Sequence, residues 1–524
     1  MGGALFLGLR LTGDNDSIDK NFKFPDSKFG NFLALHHAIY VDDFDSVADL
    51  VMPLADESVP IVQNSRATAL FLAGKIDDSA GILANDKSIA GQIAYATYLV
   101  KHGDWAELYK RFKNNDSQII APFRIWAGIA AGKEAEVMQF IDKMQGNDSW
   151  RNFLRGQVYA ETGKLQKARE SFGKVTTDFM NLNDYTYMMS FYKSAGFNDD
   201  ADLLYEDFTN RPAGLHMRNF TKFPDFAGFS GPTNALGFGL IQNVSHSPIL
   251  NFSSIALLLL RASEAISGPS DALNYYIGMF FYSNGSEKYK YYFNRIEKNS
   301  IFAPFVLLKN AEKAGNFKEM KLDLEHIVAQ TPTFMPALNK LIAINMQKGR
   351  EKDAFRVVNN ALKTENLPPR AKSYFLTTRA RLFRQTGNLE RAQEDITYAI
   401  DILPGDVSAL SEQAKIWILR KENLNEAYNI AMAMVASFPT DIDAWNTLSM
   451  AVREKEDADS ALEILERVAK VSQTNSYLFE NLGDIYFGRR EFSKAKKAYE
   501  KALELSDDGL TSEPKLRSKI RKTK

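Results

Sequence analysis

The chain has 524 residues and no cysteine, which excludes disulfide bonds, thiolate metal sites and cysteine nucleophiles. Its 64 basic and 65 acidic residues give a net charge of −1, so no bulk electrostatic attraction to nucleic acid or anionic lipid is expected. No apolar run approaches the roughly 20 residues that span a bilayer, and we expect a folded protein without a transmembrane segment.

Residues 1–27 are predicted to be a leader. The apolar stretch from Ala4 to Leu9 is shorter than the hydrophobic region of a normal secretory signal, and no basic start precedes it. Two interpretations stay open, a truncated signal peptide or a flexible leader.

Regularly spaced glycines predict a first block of helical hairpins over residues 28–210. They recur at intervals of about 30 residues, where one helix would end and the next begin. These turn glycines are Gly74, Gly103, Gly132, Gly163 and Gly196. The copy around Gly163 is the most regular, whereas the earlier ones are degenerate, half-length hairpins.

Residues 211–250 interrupt this pattern with many prolines and glycines, and we predict an irregular excursion there. The segment also holds five phenylalanines, too many for a solvated linker: Phe220, Phe223, Phe226, Phe229 and Phe238. The preferred interpretation is an ordered segment lying against the repeats, even within their concave groove. A disordered hinge is the alternative, and a regulatory or enzymatic site in this segment is a third hypothesis.

A second block of hairpins is predicted over residues 251–507. Its turn glycines are Gly285, Gly315, Gly349 and Gly387, and prolines stand where second helices would close, at Pro332, Pro404 and Pro439. The two blocks together give about eleven hairpins from Lys28 to roughly Leu505.

The end of the second block carries the most specific motif of the chain. Ala427, Ala461 and Ala495 are evenly spaced at the period of helix-turn-helix arrays, about 34 residues. Within the last copy the small and aromatic positions of both helices are Phe479, Leu482, Gly483, Tyr486, Phe492, Ala495, Tyr499 and Ala502. Gly483 and Ala495 are expected where the two helices approach closely. Residues 476–507 therefore resemble a tetratricopeptide (TPR) repeat, and this resemblance implies an all-α, right-handed superhelical solenoid.

Residues 508–524 form a basic tail. From Lys515 onward it has six basic residues and no acidic one: Lys515, Arg517, Lys519, Arg521, Lys522 and Lys524. The preferred interpretation is a solvated tail, and electrostatic contact with phospholipid or nucleic acid is the alternative.

The sequence shows no pattern of a catalytic, cofactor or metal site. The six histidines have no paired ligand spacing, and phosphate-binding, nucleophile-elbow and kinase motifs are absent. We therefore predict that the chain is not an enzyme and needs no cofactor.

The resemblance implies that the first helix of each hairpin lines a concave groove. The helical register places eight candidate protein-binding residues there, which are Tyr374, Arg381, Arg384, Asn446, Met450, Arg453, Asp484 and Phe487. Aromatic rings and arginines suit a peptide or a partner helix.

More broadly, the chain resembles long TPR proteins of alphaproteobacteria, on Phe29 to Ala34 and Asp271 to Tyr276. That family includes envelope lipoproteins and adaptors, which implies a protein-binding scaffold or adaptor in the periplasm or envelope. The lipid-attachment cysteine is absent, so membrane association would be peripheral, through a partner or the basic tail. A cytoplasmic location and a structural role in a large envelope assembly stay open as alternatives.

Overall fold

A computed structural model describes residues 27–41, 60–77, 80–211, 214–219, 231–247, 253–313 and 316–523. These residues form 28 α-helices and two short 3₁₀ helices, and no strand occurs among them. The fold is all-α, as the sequence predicted. The predicted leader over residues 1–27 lies outside the described residues except for Ser27, and Gly315 also lies outside them.

The first half of the helices is α1 Lys28–Val41, α2 Pro60–Leu72, α3 Ala80–Asn85, α4 Ile89–Lys101, α5 Trp105–Phe112, α6 Ala121–Ala130, α7 Glu134–Lys143, α8 Asp148–Glu161, α9 Leu165–Phe172, α10 Leu182–Ser194, α11 Asn198–Thr209, α12 Pro232–His246, α13 Ser254–Ser267 and α14 Asp271–Ser283. The second half is α15 Tyr289–Phe293, α16 Ala303–Glu312, α17 Phe317–Gln330, α18 Met335–Gln347, α19 Glu351–Leu362, α20 Pro369–Gln385, α21 Leu389–Ile402, α22 Val407–Arg420, α23 Leu424–Ser437, α24 Ile442–Lys455, α25 Ala458–Val471, α26 Ser476–Gly488, α27 Phe492–Glu504 and α28 Glu513–Lys522.

The turn glycines end the first helices of hairpins in both blocks. Gly103 and Gly163 have φ angles of 71° and 73°, and Gly349 and Gly387 have angles of 69° and 86°. This left-handed conformation is costly for residues with a Cβ atom, so glycine terminates the helix and directs the chain into the next one. The predicted hairpin boundaries at these positions are confirmed.

Small residues let the two helices of a hairpin approach closely. A Cβ atom on Gly483 would lie 2.4 Å from the Tyr499 ring, and one on Gly156 would lie 2.4 Å from the Phe172 ring. Ala495 is fully buried in the same interface as Tyr499. The predicted close approach at Gly483 and Ala495 is confirmed.

The described chain divides into two compact units. Unit 1 comprises Met1–Tyr205 and Lys222–Val306, and unit 2 comprises Glu206–Thr221 and Leu307–Lys524. The predicted block boundaries at residues 211–250 are therefore displaced, because residues 253–306, which the sequence placed in the second block, belong to the first unit.

The predicted irregular excursion over residues 211–250 is corrected for residues 232–246, which form helix α12. Pro232 lies in the first turn of this helix, where its missing N–H costs no hydrogen bond. Gly237 permits close contact with α13, since a Cβ atom there would lie 2.0 Å from Ser267 Oγ. Helix α12 pairs with α13, so the repeat series includes a hairpin that the predicted count of about eleven lacked.

Helices α12 and α13 pack against the first helices of earlier hairpins in unit 1. Helix α12 contacts α6 and α8, and α13 contacts α2 and α4. The Gln242 side chain donates a hydrogen bond of 2.7 Å to buried Asp184, and Gln157 donates one of 3.1 Å to Gln242. This polar network joins α12 to α8 and α10, so the helix is an ordered part of unit 1, as the preferred interpretation expected for this stretch.

The structure describes one of the five phenylalanines of the predicted excursion. Phe238 lies on α12, with its ring centroid 4.8 Å from that of Tyr187 on α10. The other four lie outside the described residues, namely Phe220, Phe223, Phe226 and Phe229.

The basic tail is also corrected. Residues 513–522 form helix α28, and its Leu516 is fully buried against α27. Lys515 and Lys519 form ion pairs with residues of unit 2, whereas Arg517, Arg521 and Lys522 are exposed. One buried apolar side chain and these ion pairs hold this segment on the repeats. A purely solvated tail would lack such contacts.

Among the described helices, none combines the length and apolar character required to cross a membrane.

Candidate functional site

The predicted binding residues lie on the first helices of consecutive hairpins in unit 2. Helices α18, α20, α22, α24 and α26 are these first helices, and α20, α22, α24 and α26 contact one another in sequence order. We call the surface that they share the first-helix face of unit 2. Each hairpin contributes one helix to it, so a ligand lying there would contact several repeats at once.

Helix α20 carries three of the predicted residues in three different environments. The Tyr374 hydroxyl donates a hydrogen bond of 3.0 Å to Asn339 on α18. Arg381 keeps 42% of its side chain exposed, with its Nε 3.5 Å from Glu412 Oε2. Arg384 is only 7% exposed and pairs with the same carboxylate. Of the three, Arg381 is the most accessible charged group.

A row of ion pairs crosses from α20 to α24 beneath this surface. Arg384 pairs with Glu412 on α22, and Lys415 of the same helix pairs with Asp443 on α24. Burial alone would lower the pKa of Arg384 and raise the pKa of Glu412, but their opposite charges outweigh burial and shift both pKa values the other way. Both groups are therefore charged in the folded protein, and they fix the register between neighbouring hairpins.

The predicted residues on α24 are mostly structural. Asn446 is completely buried, and its Oδ1 accepts a hydrogen bond of 3.3 Å from Asn481 on α26. Met450 is buried as well, with its sulfur 3.3 Å from the Tyr477 hydroxyl. Arg453 is partly exposed and lies 3.2 Å from Glu454. Asn446 and Met450 therefore hold adjacent hairpins together rather than project into solvent, which corrects their predicted role as surface contacts.

The predicted residues on α26 face the end of the chain. Asp484 accepts hydrogen bonds from the Tyr499 hydroxyl at 2.8 Å and from Lys519 Nζ at 2.7 Å. Phe487 packs on the apolar cluster around buried Leu516. Both residues thus contact the C-terminal part of the chain in this structure.

Four of the eight predicted residues line one cavity of about 190 Å³. These are Arg384, Met450, Arg453 and Asp484, whereas Tyr374, Arg381, Asn446 and Phe487 lie outside it. The other side of the cavity is formed by residues after α27, namely Leu510, Thr511, Ser512 and Lys515. The first-helix face and the end of the chain together enclose this space.

Residues 506–523, which we call the C-terminal segment, bridge two distant parts of unit 2. At one end Gln347 Nε2 donates to Asp507 at 2.6 Å, and Lys515 Nζ lies 3.1 Å from Glu351. Lys515 also donates to the backbone oxygen of Gln385 at 2.9 Å. These contacts are with α18, α19 and α20.

At the other end the C-terminal segment is held by α26 and α27. Lys519 Nζ lies 2.7 Å from both Glu480 and Asp484, so one ammonium group is shared by two carboxylates. Burial alone would lower the pKa of Lys519, but these two carboxylates raise it above the usual value. Lys519 is therefore charged in the folded protein and joins the segment to α26 through two carboxylates.

Sequence reasoning missed Glu412, Lys415, Glu480 and the C-terminal segment as parts of this site. A usable signal was present, because the interval from Arg384 to Glu412 equals the interval from Lys415 to Asp443. Opposite charges that recur at one interval on successive first helices indicate pairing between hairpins. No such periodic signal marks the tail, whose contacts follow from the three-dimensional path of the chain.

Two further cavities lie among the described residues of unit 1. No group of histidine, aspartate or glutamate side chains in the part of the chain that the structure describes could hold a metal ion. Unit 1 contains a cavity of about 410 Å³, walled by Trp126, Trp150 and Phe179, and another of about 830 Å³ lined partly by Asn183 and Phe238. Neither was predicted from the sequence.

Comparison with known proteins gives the following similarities. Residues 476–508 match the sequence model of the tetratricopeptide repeat, and no curated protein matches the chain. A solved tetratricopeptide repeat protein from Parabacteroides merdae is 17% identical, with 46% of this chain and 92% of that one covered and a TM-score of 0.35.

Two further solved structures align over nearly the whole chain. A chain of the Cut9–Hcn1 hetero-tetramer of the APC/C is 14% identical, with 98% of this chain and 98% of that one covered and a TM-score of 0.35. Yeast Tom70 is 15% identical over 99% of this chain and 100% of its own, also with a TM-score of 0.35. Because residues 476–508 match the model of this repeat, the hairpin of α26 and α27 is a tetratricopeptide repeat.

Proposed function

We propose that the chain is a non-catalytic scaffold or adaptor that binds a segment of a partner protein on the first-helix face of unit 2. This face offers an exposed arginine at Arg381, an aromatic ring at Tyr374 and carboxylates at Glu480 and Asp484. Such a mixture suits a peptide or a helix, in which charged groups fix the register and aromatic groups supply contact area.

The observation that carries this proposal is the position of the C-terminal segment. A helix of the chain itself, α28, lies against α26 and α27 and is tied by Lys515 to α19 and α20. The last hairpin of unit 2, whose α26 belongs to the first-helix face, is therefore complementary to at least one helical segment. An external segment of similar chemistry would find the same carboxylates and the same apolar contacts.

A place in the periplasm or envelope of a Gram-negative bacterium is a further part of the proposal. It is supported by the absence of cysteine and by the resemblance of the sequence to envelope-associated TPR proteins. Fractionation of the cells that produce the protein, followed by immunodetection, tests this part independently of binding.

The binding proposal is tested by site-specific photo-crosslinking in an extract of the cells that produce the protein. A photoreactive phenylalanine analogue replaces Arg381 on the first-helix face in one full-length chain. In the matched control it replaces Tyr398, which is 47% exposed on α21, a second helix. We expect position 381 to link to one segment of one protein, identified by sequencing the linked peptide, and position 398 not to link to it.

Equal linkage from both positions, or none from position 381, would contradict the scaffold proposal for this face. Linkage only from position 398 would instead favour the structural-subunit alternative, since the second helices would then form the interface.

A further inference from the structure

Two anchors on one side of α28 attach the C-terminal segment to the last hairpin of unit 2, one to α27 and one to α26 of the first-helix face. Leu516 is fully buried in a socket formed by Ala495, Tyr499 and Ala502. Lys519, one helical turn later, lies between Glu480 and Asp484. Residues three apart on a helix project from the same side, so the apolar anchor and the charged anchor act together.

The remainder of α28 adds polar contacts at its first turn, where Glu513 pairs with Lys348 and accepts a hydrogen bond of 3.0 Å from Gln347. The helix has ten residues, and Leu516 is its one fully buried side chain. A helix of this length is marginal in isolation, so it depends on its anchors. The ion pairs Lys348–Glu513 and Lys515–Glu351 are both partly exposed and are therefore screened by salt. Detachment of α28 is thus a local opening that leaves the hairpins intact.

Both anchors are independent of the covalent connection to α27. The socket belongs to α27 and the carboxylates belong to α26, so any helix with a leucine three residues before a lysine presents the same groups. A basic residue one turn before this lysine would face Glu351 on α19, as Lys515 does.

We propose that the partner segment bound by unit 2 is a basic amphipathic helix that takes the place of α28, and that α28 occupies this site in the free protein. This inference rests on the proposed scaffold function and names the chemistry of its partner. A tethered segment has a high effective concentration, so α28 lowers the apparent affinity for any competing helix.

The test uses full-length chains and a fluorescent synthetic peptide of residues 510–523. The peptide is titrated into the wild-type chain and into the Leu516→Ala/Lys519→Ala variant, whose own helix lacks both anchors. We expect the peptide to bind this variant about tenfold more tightly than it binds the wild type, because the tethered competitor is weakened. Binding should weaken as salt is raised, since Lys519 of the peptide contributes charge.

Two controls accompany the titration. The Arg517→Ala/Arg521→Ala chain, changed at exposed positions of α28, should behave as the wild type does. A peptide with Leu516→Ser and Lys519→Glu should not bind the loosened variant. Equal affinity of the peptide for the wild-type and loosened chains, or equal binding of the control peptide, would overturn the inference.

Hydrogen exchange of the wild-type chain provides a measurement that does not depend on the folding of a variant. Amides of α28 should exchange about tenfold or more faster than those of α27, because α28 opens locally. Equal protection of α28 and α27 would overturn the inference. If the peptide does not bind the loosened variant more tightly than the wild type, but crosslinking at position 381 succeeds, the helix-replacement inference fails and the scaffold proposal stands. Loss of the crosslink alone contradicts the scaffold proposal.

Discussion

Arg384 and Glu412 form an ion pair between two consecutive first helices of unit 2, with side chains only 7% and 1% exposed. Arg384 lies on α20 and Glu412 on α22, so the pair joins one hairpin to the next. Because both charges are removed from water, each depends on the other for its stabilisation.

Replacement of Arg384 by methionine should therefore destabilise unit 2 by about 3 kcal/mol or more, since Glu412 would be left buried with weaker partners. The double variant Arg384→Met/Glu412→Leu should recover much of this loss, because no unpaired charge remains. Urea unfolding followed by circular dichroism measures the unfolding free energies of the single and the double variant. Arg381→Ala is the matched control at an exposed arginine, and an effect there as large as that of Arg384→Met would contradict the assignment.

Gly483→Ala should destabilise the last hairpin by about 1–3 kcal/mol, because its Cβ atom would overlap the Tyr499 ring. Gly488, at the end of the same helix, has open space around it. Gly488→Ala should therefore be neutral or stabilising, since alanine favours helix by about 1 kcal/mol over glycine. Thermal unfolding of the two variants compares them directly, and equal destabilisation would show that the close approach does not matter.

Glu161 should make the stability of unit 1 depend on pH. Burial raises its pKa from 4.5 to about 7, although hydrogen bonds from the Gly231 N–H and the Tyr187 hydroxyl oppose the shift. Between these two pKa values the unfolded chain is ionised at this position while the folded chain is still protonated. The stabilisation by the neutral carboxyl is thus present below pH 4.5 and is lost as the pH rises towards 7.

The measurement for this prediction is the unfolding free energy of the wild type relative to Glu161→Gln across this pH range. The wild type should lose about 3 kcal/mol relative to the variant between pH 4.5 and pH 7. Glutamine keeps the shape of the side chain but does not titrate, so a constant difference would refute the shifted pKa.

Gln242→Leu should destabilise unit 1 by about 1–3 kcal/mol, because buried Asp184 loses one of its hydrogen-bond donors. The effect should appear in hydrogen exchange as faster exchange throughout α12, whereas helices of unit 2 keep their protection. Unchanged exchange of α12 would mean that the polar network does not hold this helix in place.

Local turn chemistry made much of the repeat pattern predictable. The turns at Gly103, Gly163 and Gly387 require a left-handed backbone, which glycine adopts without steric cost, so these positions are visible in the sequence without any tertiary information. The close approach at Gly483 was predictable for the same reason, since a small residue opposite a large ring is a property of one hairpin.

Helix α12 was not predictable in the same way. Gly237 and Gly239 lower its intrinsic helix propensity, and its contacts with other helices of unit 1, among them α6, α8 and α13, offset that cost. The same limit applied to the candidate site. The helical register placed Arg384 and Asn446 on first helices, but it could not show that other hairpins bury them.

In unit 1, helices that are far apart in the sequence pack together, although the ribosome synthesises them at different times. Helix α4 ends at Lys101, yet it packs against α13, which begins at Ser254. At usual translation rates roughly 10 to 30 seconds separate the emergence of the two helices. During this interval the side of α4 that packs against α13 lacks that partner, so the packing of unit 1 cannot be completed until α13 has emerged.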